Sequence, residues 1–205
     1  KRAKGFFDVV AYTGTGVAGR TVAHSLGVVP EMMIVKSRSA AGEWYVQHKD
    51  VAPNKELALQ TSNGLPGSTT NSTFNNTAAT SSVFTLGSGG ATNGNGATYI
   101  AYLFASLAGV SKVGSFTHVY QTDTNVDCGF SNGARFILIK RTDAAGDWRV
   151  YDTTRGIIAG ADPELKLNST AAEYTAGDYI DPYSQGFTVV GANYNSGTYI
   201  FYAIA

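Results

Sequence analysis

The apolar blocks of this chain are short, and most of them read as β-strands. "FILIK" (136–140) is an apolar run rich in β-formers. It is long enough for a strand buried on both faces and short for a helix. "EWYVQH" (43–48) alternates instead, so Trp44 and Val46 face one side and Tyr45 and Gln47 the other. A second copy, "DWRVYD" (147–152), keeps the pattern, and the expectation is that Trp44 and Trp148 point inward as core anchors. The same reading turns Tyr45 and Gln47, and likewise Arg149 and Tyr151, outward. "SRSAAG" (37–42) and "RTDAAG" (141–146) supply the hairpin connections, with glycine for a positive φ. "TYIAYLFA" (98–105) and "TYIFYAIA" (198–205) each follow Gly- and Asn-rich punctuation and read as strands. Only 157–167 offers a helical turn, with Asp162 as its cap and Pro163 at the first helical position.

These blocks recur in order. "MMIVKSRSAAGEWYV" (32–46) aligns without a gap with "FILIKRTDAAGDWRV" (136–150). "LALQTS" (57–62) meets "LKLNST" (165–170), and "VFTLGS" (83–88) meets "GFTVVG" (186–191). Upstream, "VVAYTGTG" (9–16) falls near "VGSFTHVY" (113–120). Spacing drifts only in Gly-, Ser-, Thr- and Asn-rich stretches, and the first half keeps the longer insert at 61–82, which reads as a surface loop or arm. The expected fold is all-β: two tandem, internally homologous antiparallel β-sandwich (jelly-roll-like) units packed together. The first unit spans 1–108 and the second 109–205, with the join near Ser106–Val110.

Composition narrows the function classes. Charged residues are 15% of the chain, apolar residues 43%, and there are 24 glycines, so the surface is built from Thr, Ser and Asn. That pattern suits an extracellular or virion β-protein. Net charge is zero and no basic run exceeds the opening "KRAK", which argues against nucleic acid as a partner. The longest apolar stretch, 98–110, is too short and interrupted for membrane insertion by a helix. One cysteine, Cys128, excludes an internal disulfide framework and a Cys-rich metal site. The start carries no signal peptide and reads as one portion of a longer or processed chain.

Candidate chemistry is sparse, and no cofactor and no metal is expected. His24, His48 and His118 lack metal-ligand spacing and read as surface or turn residues. Cys128 reads as a half-buried structural thiol. "GTGVAG" (14–19) fits a phosphate-loop pattern literally but lies among turn residues with no helix to follow. Asp123, Asn125 and Asp127 are spaced like the first ligands of a calcium loop but lack its glycine and distant glutamate. "NST" (71–73), "NNT" (75–77) and "NST" (168–170) fit the glycosylation pattern. The paired carboxylates Asp178 and Asp181, with Tyr174, Tyr179 and Tyr183, form the one constellation suited to a sugar. A flat ring covers a sugar's apolar face while a carboxylate takes its hydroxyls. The positions that differ between the copies, Tyr45 and Arg149, complete the set of candidate ligand-binding residues. No catalytic residue is assigned.

"RTVAHSLGVVPEMMIVKSRSAAGEWYVQH" (20–48) resembles a repeat in structural proteins of tailed bacteriophages, especially marine phages and cyanophages. "VDCGFSNGARFILIKRTDAAGDWRVYDTTRGI" (126–157), "YIDPYSQGFTV" (179–189) and the closing "TYIFYAIA" are similar to the partner half of that duplicated, β-rich C-terminal domain. The resemblance implies a virion component of a tail fibre or appendage, non-enzymatic, involved in assembly and host-surface attachment. It further implies self-association as a homotrimer or higher assembly, contact with other virion proteins, and possible engagement of a host cell-surface glycan. A capsid-decorating fibre protein is the nearest alternative. A carbohydrate-binding module of a secreted bacterial protein is the alternative from another class.

Overall fold

The computed structural model describes residues 3–66 and 71–205. The opening "KR" and the 67–70 part of the long insert lie outside the described residues. The described residues are all-β apart from one short helix, and the chain divides into two compact units. Unit 1 comprises 1–60 and 65–106, and unit 2 comprises 61–64 and 107–205.

Unit 1 is built on a five-stranded antiparallel sheet. Its strands are β1 (Phe7–Thr13), β3 (Met32–Ser37), β4 (Trp44–His48), β5 (Leu57–Ala58) and β7 (Thr98–Phe104), in the order β1-β7-β3-β4-β5. A two-stranded ribbon pairs β2 (Arg20–Ala23) with β6 (Val83–Leu86). The core lies between these sheets: Val10, Met33, Val35, Tyr99 and Leu103 meet Val22, Phe84 and Leu86. Tyr12 contributes from β1, edge-on to Phe84 with ring centres 5.9 Å apart.

Unit 2 places its strands in the corresponding order. Its large sheet runs β13-β12-β11-β10-β16-β8, made of β8 (Ser111–His118), β10 (Phe136–Arg141), β11 (Trp148–Asp152), β12 (Asp162–Lys166), β13 (Tyr174–Gly177) and β16 (Gly197–Ile204). The smaller sheet is β14-β15-β9, made of β9 (Thr124–Asp127), β14 (Ile180–Tyr183) and β15 (Gly186–Val189). Ile137, Ile139, Tyr151 and Phe201 pack on Val126, Ile180, Phe187 and Val189, with Phe187 edge-on to Phe201 at 5.4 Å. Each unit is thus an antiparallel sandwich with one core.

Facing is where pattern and structure part. In β4 the core side carries Tyr45 and Gln47, because their ladder partners Val35 and Met33 face the core. Tyr151, expected to point outward, is fully buried in the unit 2 core, and Arg149 projects from that same side of β11. Trp44 is 36% exposed and stacks on Tyr102 at 6.3 Å, while Trp148 is 1% exposed. The reason is that both faces of each large sheet are apolar. Met32, Ile34 and Val46 line the second face in unit 1, and Leu138, Val150 and Ile200 do so in unit 2. With apolar residues on both sides, alternation cannot tell one face from the other.

Three further expectations change. The 157–167 turn is not helical, since Asp162 and Pro163 begin strand β12. Pro163 has no N–H to give a ladder, and it falls where the register between β12 and β13 shifts. The short helix is instead α1 (Gly90–Asn93) in unit 1. The long insert is not a free arm over its described part, because Phe74 is buried in the unit 1 core. His48 and His118 are also buried rather than superficial: His48 Nδ1 accepts the Asp50 N–H at 3.1 Å, and His118 Nδ1 lies 2.9 Å from Thr124 Oγ1.

The "GTGVAG" stretch acquires a purely structural account. Asn93 of α1 is fully buried, accepts the Thr15 N–H at 2.9 Å and donates to the carbonyls of Val17 and Gly87. At Gly14 a Cβ would sit 2.2 Å from the Gly94 carbonyl oxygen, so only glycine fits this approach.

Candidate functional site

The densest polar constellation lies in unit 2, on the core side of β11. Arg149 and Tyr151 are two residues apart, so the pleat places both on that face. Their neighbour β12 brings Glu164, which is 2% exposed. Arg149 Nη1 lies 2.9 Å from Glu164 Oε2, and the Tyr151 hydroxyl donates to the same oxygen at 2.8 Å. The Tyr151 and Tyr194 hydroxyls are 3.1 Å apart. The guanidinium lies over two rings, 4.8 Å from the centre of Tyr179 and 4.9 Å from that of Tyr194. Lys166 extends the network, with Nζ 2.9 Å from Asp147 and 3.6 Å from Glu164.

Electrostatics follow from that packing. Burial by itself would favour neutral Arg149, but Tyr194, Tyr151 and the Glu164 carboxylate outweigh it and hold the guanidinium charged. Burial raises the Tyr151 and Tyr194 hydroxyls well above the ordinary phenol range, so both stay protonated and able to donate. Asp147 is held below the ordinary carboxylate range: burial opposes this, but hydrogen bonds from Asn168 and Lys166 win. A charged guanidinium, a carboxylate and two phenols thus form one polar network centred on Glu164, in which Arg149 Nη1 is held by the ion pair and not by an aligned hydrogen bond.

The predicted ligand residues distribute unevenly around it. Tyr174 is 49% exposed and meets Tyr179 edge-on at 6.3 Å. Tyr179 spends one face on Arg149 rather than on a ligand. Tyr183 stands apart, its hydroxyl donating to Gln185 at 2.6 Å. Asp178 and Asp181 do come together: burial, then Asp181, then Asp123 raise the Asp178 carboxyl above its ordinary value. Among the described residues, neither Asp178 Oδ1 nor Asp181 Oδ1 has a hydrogen-bond partner. Tyr45 belongs to unit 1, at the ladder position that Arg149 holds in unit 2.

The calcium-like triplet is engaged elsewhere. Asp123 accepts the Gly191 N–H, Asn125 accepts the Thr188 hydroxyl, and Asp127 accepts the Gly129 N–H, all at 2.7–2.8 Å. Among the described residues no group of three or more His, Cys, Asp or Glu side chains is placed to hold a metal ion. Cys128 is buried, and that burial pushes its thiol up to about 12.

Sequence reading missed Glu164 and Tyr194, and with them the centre of the network. A signal existed: Glu164 precedes "LKL" as Glu56 precedes "LAL", so one more residue of alignment would have exposed a glutamate in both copies.

These features define an all-β protein of two antiparallel sandwich units with a polar network in the core of the second. The chain belongs to the family described as a domain of unknown function (DUF7483), whose model matches residues 2–205. It matches no curated protein and no solved structure.

Proposed function

We propose that this chain is a non-enzymatic structural module of a bacteriophage virion, carried in a tail fibre or a related appendage. There it self-associates, contacts other virion proteins and takes part in assembly and host-surface attachment. The resemblance of 20–48, 126–170 and 179–205 to phage structural repeats supports this reading. The structural observation that carries it is exposed apolar side chains on a charge-poor chain: Val17 and Val119 are 64% and 57% exposed, Ile158 and Tyr120 54% and 51%. Full burial of an exposed apolar side chain contributes about 1.5–3 kcal/mol, and covering these partly exposed ones in a subunit seam contributes about half of that each, which favours a second copy as the partner.

Light scattering across a concentration series tests the self-association. A stable trimer or higher assembly is the expected result. A monomer at every concentration would overturn it and favour a carbohydrate-binding module, with exposed Tyr174 as its first contact.

A further inference from the structure

Four Asn–Gly dipeptides occur in the chain: Asn63–Gly64, Asn93–Gly94, Asn95–Gly96 and Asn132–Gly133. Glycine carries no Cβ to shield its backbone nitrogen, so that nitrogen can attack the side-chain carbonyl carbon of the asparagine before it. The structure separates the four by how firmly each is held. Asn93 is fully buried with its amide engaged by three hydrogen bonds, and the Gly94 N–H donates to the Tyr99 hydroxyl at 2.8 Å. Asn95 and Asn132 are exposed, but the glycine after each is tied down. Gly96 N–H donates to the Gly14 carbonyl at 3.0 Å, and Gly133 N–H to that of Ser184 at 2.7 Å. Asn63 is exposed, and among the described residues neither its side chain nor the Gly64 N–H has a hydrogen-bond partner.

Those free groups sit beside a tightly packed contact. Residues 61–64 belong to unit 2, where the Ser62 carbonyl accepts both the Gly146 N–H at 2.8 Å and the Lys140 ammonium at 3.2 Å. Lys140 is 0% exposed, and its other acceptor is the Arg141 carbonyl at 2.7 Å. Burial pushes the lysine down to about 8, against the pull of Asp147. It is therefore mostly charged at neutral pH, and a buried ammonium depends on its acceptors. At Gly64 a Cβ would lie 2.7 Å from the Ala144 carbonyl oxygen and 2.9 Å from that of Thr142. The backbone has no room for an added atom on that side.

We propose that Asn63–Gly64 is the site at which the folded chain deamidates, and that the isoaspartate product frees the Ser62 carbonyl from Gly146 and Lys140. The Gly64 nitrogen bonds to Asn63 Cγ and gives up its proton, while the Asn63 side-chain nitrogen leaves as ammonia. Water then opens the resulting succinimide. Breaking the bond from the Gly64 nitrogen to Cγ gives aspartate on the original backbone. Breaking its bond to the Asn63 main-chain carbonyl carbon gives isoaspartate, whose backbone runs through Cβ and is one carbon longer. That carbon cannot be absorbed between Ser62, pinned by Gly146 and Lys140, and Gly64, pressed on Ala144. The chemistry is independent of the virion assignment.

Incubating the full chain in mildly alkaline buffer, with fragment-ion mass spectrometry to place each gain of about 1 Da, tests the site. Asn63 should convert about tenfold faster than Asn93, Asn95 or Asn132, because each of those must first break a hydrogen bond. In urea the four should convert at similar rates. Equal rates in the folded chain, faster conversion at another asparagine, or a preference for Asn63 that persists in urea would overturn the assignment. The isoaspartate form, separated by chromatography, tests the release. Its Gly146 amide should exchange with deuterium about tenfold faster than in the intact chain, the loss of one hydrogen bond, and unchanged protection would overturn the release. Freshly purified Asn63→Asp carries the new charge on a backbone of the original length and should keep Gly146 protected; lost protection there would contradict the role of the added carbon. Asn63→Gln should keep both its melting temperature and its Gly146 protection through the same incubation, and a loss in that variant would place the cause outside Asn63.

Discussion

At Arg149 a guanidinium is committed to a carboxylate and two rings, and the cost of removing it is the clearest energetic consequence. Arg149→Met would leave Glu164, 2% exposed, facing Tyr151 and only the more distant Lys166. An uncompensated buried charge is expensive, so the variant should lose about 3 kcal/mol in urea unfolding. Replacing both partners, as Arg149→Met with Glu164→Leu, should cost less than the single change. Two carboxylates in unit 1 give opposite signs of pH dependence. Glu56 is raised, chiefly by burial, so its contribution to stability is present in acid and lost as pH rises through its folded value. Glu31 is lowered: burial opposes, but hydrogen bonds from Ser106 and Lys49 prevail. Its contribution is present above the ordinary carboxylate value and lost as pH falls through the lowered one. Thermal melts near neutrality should therefore show Glu56→Gln more stable and Glu31→Gln less stable than wild type. Both differences should shrink in acid, and a difference that persists unchanged there would contradict the assignment.

Strands were legible because short apolar blocks recur in order and their turns carry glycine and asparagine. The register of "FILIK" against "WRVYD" follows from the seven-residue connection between them (141–147), and the structure pairs Leu138 with Val150. What the pattern could not reveal was the facing of β4 and β11, since both faces of their sheets are apolar. Nor could it reveal the buried polar partners, because Glu164 looks in sequence like one more surface charge, and Pro163 beside it resembles a helix start. The two tryptophans measure that difference. They pair with Lys36 and Lys140 at matching ladder positions, yet Trp148 is 1% exposed and Trp44 36%. Trp148→Ala should cost about 3–5 kcal/mol, and Trp44→Ala about 1 kcal/mol. Equal losses in chemical denaturation would contradict this placement. Of the candidate site, Tyr174, Tyr179 and Arg149 do form a contact chain, and Asp178 and Asp181 lie near each other, whereas Tyr183 and Tyr45 belong elsewhere.

For the whole molecule, low charge and exposed apolar side chains support the proposal of a part that works by assembly. The Arg149–Glu164–Tyr151–Tyr194 network serves rigidity within unit 2. The most direct measurement of the proposed virion role is electron microscopy of particles purified from lysates in which this chain is produced, labelled with gold-conjugated antibody raised against residues 1–205. Gold at a tail fibre or appendage is the result expected. Particles that carry no label, while the free protein is detected in the same lysate, would contradict the virion assignment.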